Sequence, residues 1–547
     1  MIPAITVFGY LAIVLYIGIF AFRRGGASGE DYFLANRSLG TFVFLFSLFG
    51  TNMTAFAILG SSGLAYQRGI GVYGLMASCS SFVIPLTLLL IGTRLWAYGK
   101  QYGHMTQVQF FRDRWDCSFV GTLIFVLTAA MLVPYIVIGV MGGGATLEAL
   151  STISGPDGQP LLVETLRDGV MVTETSHWIP YEVGGAIVAL VVMSYVFFGG
   201  MRGTAWVNTF QTILFCSFGL VAFWLIGRNV GGFGPVMERL AASPRTAGLL
   251  TRERIAPAEF LSYFFIPLSS IMFPHISIMC LTARSVRSFR RTIALYPVCI
   301  LLIWLPSVYL GVVAADRFPG LAPGASDDVL LRLLTSHSHV VVAGVLGAAI
   351  MACVMASDSQ ILALGTMFTE DIFAYYGGKR RFGDRAQVWT GRMFVVAVTA
   401  FAYWTAIRLQ DLVGIFELAI RFAFSGFAAL APVMIAALYW RRSTKGGALA
   451  AVLWVALSML GLWYLHTATA GIAPPPGRPP VPIFPALGDL LLRTSGNVTV
   501  YGVLPVMPMV LVSGLLVWIG SLCTAPPGRQ TVERYFPAVE LDGRSRS

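Results

Sequence analysis

Four ionisable side chains lie well inside otherwise apolar stretches of this 547-residue chain: His275, Asp358, Glu417 and Arg421, with His339 nearer the edge of one stretch. Such groups are costly in hydrocarbon and are retained where they bind something or face protein. Asp358 and its neighbour Ser359 are oxygen donors of the kind that hold a hard cation. Glu417 and Arg421, four residues apart, can pair along one helix face. They either neutralise each other in a packed bundle, or Arg421 offers its planar fork to a carboxylate while Glu417 holds it in place. His275 follows Pro274, so it either bonds a carbonyl freed by the proline kink or meets a solute or proton directly. These groups are too few and too scattered for hydrolysis, no H-E-x-x-H occurs, and an enzyme is not expected. Binding of a small solute and an ion is the chemistry they suit.

The elements that must position them are membrane spans. With 56% hydrophobic and 12% charged residues, the chain departs from soluble composition. A span needs roughly 20 apolar residues to cross roughly 30 Å of hydrocarbon. Thirteen stretches qualify, near 3–22, 41–65, 71–93, 118–140, 182–200, 203–226, 259–281, 292–315, 338–366, 393–407, 412–438, 447–466 and 503–523. The expectation is an all-α integral membrane fold of about 13 transmembrane helices. Most Lys and Arg residues fall in alternate loops, which places the N-terminus outside and the C-terminus in the cytoplasm of a plasma (inner) membrane. The net charge of +11 then reflects that bias and contact with anionic lipid, not nucleic acid. None of the seven cysteines falls in an outer loop or pairs at metal-ligand spacing. No filter motif suggests a channel, no cofactor is implied, and nothing requires an oligomer. The segment 467–500 is proline-rich and reads as extended, and the polar tail is too short to fold alone.

Two spans are poor as continuous helices. The second carries Gly50-Thr51-Asn52-Met53-Thr54 near its middle, and the seventh carries Pro267 and Pro274. Broken backbone in hydrocarbon is tolerable only where it lines a cavity or faces protein. Spans two to six and seven to eleven form two groups of five, each opening on its broken span and starting from opposite sides of the membrane. That is the pattern of two inverted five-helix repeats. The expected division is 1–40 for a first helix and inner loop, 41–226 and 259–438 for the repeats, 227–258 for an outer loop, 439–523 for two additional helices, and 524–547 for a cytoplasmic tail.

The run AAIMACVMASDSQILALGTMFTEDIF (348–373) resembles the sodium:solute symporter family, in which the eighth core helix ends in a Ser-Thr-x-Asp-Ser-Gln-like run before a Thr-Glu-Asp-Ile segment. Further matches follow in order: EDYFLANRSLG (30–40), GTNMTAF and GSSGLAY within 50–66, FGGMRGTAWVNTFQT (198–212), FPHI with ARS within 273–285, and YWRRSTKGGA (439–448). The resemblance covers about residues 5–465. It implies the LeuT-like fold, alternating access and solute uptake driven by an ion gradient.

The resemblance also implies where ions and solute sit. The family's sodium-binding carbonyls match Gly50, Met53 and Ala352, while its two hydroxyl positions match Met355 and Ala356, which carry no side-chain oxygen. The acidic position of the fifth core helix matches Asn208. Two hypotheses follow. Asp358 or Ser359, three and four residues beyond Met355 and on its face, completes a shifted Na+ site; or Asp358 carries a proton and the coupling ion is H+. Alternatively Asp358 caps or pairs with an inner arginine such as Arg202. For the solute, the first core helix offers Asn52, Thr54 and Phe56, and the sixth offers Ser269, Ser270 and His275. The second offers Met76 and Cys79 where sugar-carrying members place polar groups. With Arg421 and Glu417, this favours a small organic carboxylate or amino acid over a sugar. Loss of the two hydroxyls leaves a transport-deficient solute sensor as the alternative.

Overall fold

The computed structural model describes residues 2–23, 28–153, 161–167, 170–229, 231–321, 325–337, 340–410, 415–475 and 478–537. Among them, ten helices are long and apolar enough to cross a membrane, and two further pairs are bent spans. The run Tyr181–Asn229 is counted once although its 49 residues suffice for two crossings. It breaks at Gly200 (φ 52°, ψ −150°), where an added Cβ would lie 2.5 Å from the Tyr32 carbonyl oxygen. Only glycine takes that backbone conformation at so close an approach. With that run taken as two crossings and each bent pair as one, the described residues of the thirteen expected stretches fall mostly on helix. The tenth is much longer than 393–407, because Gly378–Leu409 is helical throughout apart from a turn at Gly383.

The helices used below are α1 (Ile2–Arg23), α2 (Thr41–Asn52), α3 (Ser61–Arg68), α4 (Thr93–Tyr102), α5 (Gln107–Trp115), α6 (Ser118–Leu150) and α7 (Tyr181–Asn229). There follow α8 (Ser269–Met272), α9 (Pro274–Thr282), α10 (Val286–Arg317), α11 (Val340–Val354) and α12 (Asp358–Met367). The last are α13 (Ser425–Tyr439), α14 (Lys445–Ala468), α15 (Val506–Cys523) and α16 (Arg529–Tyr535). Each broken span fails where its sequence demands it. α2 stops at Asn52, Met53 turns to extended backbone, and the chain restarts as a wide helical turn at Phe56–Gly60 before α3, a bend of 59°. α8 stops at Phe273, and α9 restarts at Pro274, which has no N–H to leave unsatisfied, with a bend of 52°.

Large apolar side chains face outward along the spans, as Leu457, Leu460, Trp463 and Tyr464 do on α14. In a membrane these are the lipid contacts. The proline-rich segment is not simply extended: β3 (Val481–Pro482), β4 (Leu491–Arg493) and β5 (Val498–Val500) form a small antiparallel sheet there. A hairpin of β1 (Leu162–Arg167) and β2 (Val170–Thr175) lies between α6 and α7. Within the tail, α16 packs back on the bundle.

Candidate functional site

The two breaks meet at one cavity. A small cavity there is bounded by Asn52, Met53 and Phe56 from the first broken span and by Pro267, Ser269 and Ser270 from the second. The remaining wall is largely apolar, with Leu75, Met76, Ile84, Ile266 and Ile420 beside the rings of Tyr263, Trp304 and Phe424. Asn52 stands at the helix end, where its Nδ2 donates to Tyr296 Oη on α10 (2.5 Å) and its carbonyl accepts from Tyr135 Oη on α6 (3.2 Å). Its side chain is thus held by one neighbouring helix and its backbone by another. Tyr135 stacks on Phe273 at the second break, with ring centroids 5.2 Å apart. The polar groups of the wall are few: Asn52, Ser80, Ser269, Ser270, the Tyr263 hydroxyl and the Trp304 indole N–H. Such a pocket suits a small solute with an apolar body and one polar end.

Beside the first break lies a buried polar cluster. Asp358, 0% exposed, begins α12 after a tight turn at Met355–Ser357. Its Oδ1 accepts from Asn208 Nδ2 (2.9 Å) and from the Ser359 N–H (2.5 Å), and its Oδ2 accepts from Tyr195 Oη (3.0 Å). Asn208 Nδ2 also donates to Ser359 Oγ (2.8 Å), while Asn208 Oδ1 is buried with no hydrogen-bond partner. The Thr51 and Thr204 hydroxyls are buried and unpartnered too. The break is close by: Cys353 Sγ donates to the Met53 and Thr54 carbonyls (3.3 and 3.4 Å). Gly50 lies directly on Asn208 and Thr212 of α7. Gly50, Met53, Asn208, Asp358 and Ser359 are thereby joined through direct contacts or the Cys353 bridge, with Ala352 next to Cys353 in the chain. Asp358 meets three donors and no described basic side chain, with the unpartnered Asn208 Oδ1 on the same amide that donates to it, and oxygen groups of this kind are able to ligate a hard cation.

Several expectations need correction. Asp358 does not pair with Arg202, because Arg202 Nη2 donates to Asp31 Oδ1 (2.7 Å) near the expected inner surface. His275 does not bond a freed carbonyl: both ring nitrogens are buried without a partner, against the Phe273 ring at a centroid distance of 5.0 Å. His275 and Thr54 are buried but do not line the cavity. Met76 lines it, but Cys79 does not, and Ser80 takes its place. The wide helical turn at Gly74–Ser78 shifts the facing position by one residue.

Arg421 is the largest displacement. It lies on a wide turn, Ala419–Phe424, whose Ile420 and Phe424 face the cavity while Arg421 points elsewhere. Its Nη1 lies 2.6 Å from His466 Nε2 on α14, and its Nη2 donates to the Gly496 carbonyl beside the small sheet. The Glu417 side chain and His339 lie outside the described residues. Arg421→Lys is accordingly expected to leave the KM for solute within about twofold of the parent, since a group outside the cavity contributes little uniform binding. A rise of about tenfold or more in KM, measured by uptake in vesicles, would return Arg421 to the solute site.

Comparison with known proteins follows the same line. The model of the sodium:solute symporter family matches residues 32–154 and 165–454. The osmoregulated proline transporter OpuE of Bacillus subtilis (strain 168) is 23% identical over 542 residues, covering 97% of this chain and 96% of that protein. A sodium/proline symporter of Haemophilus influenzae is 25% identical over 463 residues, covering 81% and 84%. Among solved structures, a Na+-coupled sialic acid symporter in a substrate-bound outward-open state superposes with a TM-score of 0.68 at 15% identity, covering 96% of this chain and 99% of that one. That likeness shows a shared fold.

Proposed function

The chain belongs to the sodium:solute symporter family, and from that premise we propose that it carries a small amino acid together with Na+ by alternating access, proline being the first solute to test. It is a multi-pass membrane transporter and not an enzyme. The observation that carries the reading is the meeting of two broken helices at one cavity, with a buried carboxylate cluster beside the first break. Solute lies between Asn52, Phe56, Ser80, Ser269 and Ser270. The apolar wall takes an apolar side chain or ring, and the restart of helix at Phe56 directs its positive end toward a carboxylate. A sugar would bring many hydroxyls to a wall whose polar groups are few.

Na+ is assigned to the space between the first break and α12. Asp358 supplies charge, and the Asn208, Ser359 and Thr51 oxygens, with the Gly50 and Met53 carbonyls, supply neutral ligands. The cluster replaces the hydroxyls lost at Met355 and Ala356. Residues 41–226 and 259–438 act as the two inverted repeats, with the N-terminus outside and the tail in the cytoplasm.

The test is proline uptake into proteoliposomes with Na+ and pH gradients imposed separately. An inward Na+ gradient is expected to raise uptake at least about tenfold, the effect of roughly 1.4 kcal/mol of coupling. Uptake driven by the pH gradient alone would assign the coupling ion as H+. Binding of proline without flux under either gradient would make the protein a sensor.

A further inference from the structure

The last described residues of the chain are built into the end of the bundle expected to be inner. α16 is short, yet Tyr535 at its end is only 1% exposed. Its ring meets Tyr98 and Tyr102 of α4 and Phe110 of α5, at centroid distances of 5.3, 5.3 and 5.8 Å. Tyr98 Oη donates to the Tyr535 carbonyl (2.6 Å) and Tyr102 Oη to the Arg534 carbonyl (2.5 Å). Asp113 of α5 gathers the charged end: Tyr535 Oη donates to its Oδ2 (2.7 Å) and Arg534 Nη1 to its Oδ1 (3.0 Å). Phe536 then lies under the guanidinium groups of Arg94, Arg114 and Arg441, at 5.9, 5.1 and 6.0 Å from ring to carbon. His104 also reaches Asp113 (3.0 Å). Burial, opposed by Asp113, holds its imidazole below the ordinary histidine range, so at neutral pH the Asp113 charge is left to Arg534.

The tail thus grips pieces of both proposed repeats. α4 ends the second core helix, and Arg441 follows the tenth. Between them α5 acts as a crosspiece. Thr106, at its start, donates to Asp371 Oδ1 (2.9 Å), and Arg112 Nη2 donates to the Asp371 carbonyl (3.2 Å) at the exit of the eighth core helix. Arg114 Nε donates to the Ala437 carbonyl (2.9 Å) and Arg114 Nη2 to the Trp440 carbonyl (3.0 Å) at the exit of the tenth. Alternating access requires the inner ends of such helices to separate. A segment bound across them favours the state in which they are together, by whatever free energy its contacts lose on separation.

We propose that residues 529–536 are a latch that holds the inner face closed, with Tyr98, Tyr102 and Phe110 as an aromatic socket and Asp113 as the catch. The latch releases when the inner face opens, so it sets how often that face is open without touching solute or ion.

The test is hydrogen–deuterium exchange in the full-length protein reconstituted in nanodiscs, with no solute added. Tyr535→Ala with Phe536→Ala is expected to speed exchange at the inner ends, residues 93–115 and 274–282, at least about fivefold while the outer ends stay unchanged. Arg534→Ala, which removes the ion pair with Asp113 and the guanidinium over Tyr102 (4.4 Å) but keeps the Tyr535 and Phe536 side chains in place, is expected to give a smaller rise at the same segments. It also serves as the folded test case if the double variant does not assemble. Unchanged exchange at both segments in folded Arg534→Ala and double-variant protein overturns the proposal. So does a rise spread evenly over inner and outer ends, which is the mark of general destabilisation. The readout needs neither proline nor Na+, so its result is independent of the proposed substrate and ion.

Discussion

Asp358→Asn is expected to abolish Na+-driven uptake in a protein that still folds. The substitution keeps the side-chain shape but removes the one charge of the cluster. It also puts an amide N–H where Tyr195 or Asn208 now donates to oxygen. One mispaired donor costs about 1–3 kcal/mol, which lowers Tm by a few degrees without unfolding a chain of this size. Binding suffers more. A cation drawn out of water into a site with only neutral oxygens loses its main compensation. The Na+ concentration for half-maximal uptake is expected to rise at least about 100-fold, equivalent to roughly 2.7 kcal/mol. Asp358→Glu, which restores charge at a shifted position, is expected to recover part of that loss. An unchanged Na+ dependence in Asp358→Asn would remove Asp358 from the cation site.

Gly50→Ala is expected to do comparable damage from the other side of the same space. A Cβ at Gly50 would collide with Thr212 Oγ1 and lie 3.2 Å from the Asn208 carbonyl, so α2 must move away from α7. Thr212 has little room to yield, because its hydroxyl already donates to the Phe46 and Asn208 carbonyls (2.8 and 2.7 Å). Overpacking of this kind costs about 1–3 kcal/mol and is relieved by backbone shifts. Those shifts fall at Gly50 and Asn208, two of the proposed cation ligands. Uptake at subsaturating Na+ is therefore expected to drop at least about tenfold, and more Na+ should restore part of it. A variant with parental Na+ dependence and parental Tm would mean that α2 and α7 are free to separate there. The proposed ligand geometry would then be wrong.

The backbone of the site was legible in the sequence, and its far partners were not. Gly50 to Thr54 and the pair Pro267 and Pro274 announce broken helices through local chemistry alone, and the structure bends the chain at both places. Asp358 and Ser359 stood out because a carboxylate in an apolar span needs a reason. That Tyr195 reaches Asp358 is a contact across 163 residues, which no local pattern carries. Arg421 shows the opposite failure. Its spacing from Glu417 looked like a binding device, but a wide helical turn rotates it toward His466, on a helix outside the proposed repeats. The same kind of turn exchanges Ser80 for Cys79 on the cavity wall. Helix-face arguments assume 3.6 residues per turn, and they fail by one position wherever a five-residue hydrogen-bonding turn intervenes. The docked tail left a trace that composition alone hides: Tyr535 and Phe536 are adjacent aromatic residues in an otherwise polar segment.

The proposed solute and Na+ positions lie on two sides of one helix break, Asn52 and Phe56 at the cavity and Gly50 at the cluster, so ordering of the break by one is expected to favour binding of the other. The direct measurement is equilibrium binding of radiolabelled proline to the purified protein as Na+ is titrated from zero to saturation. The proline Kd is expected to fall at least about tenfold in the parent and to stay flat in Asp358→Asn. A measurable proline Kd that ignores Na+ in the parent protein would contradict the shared site.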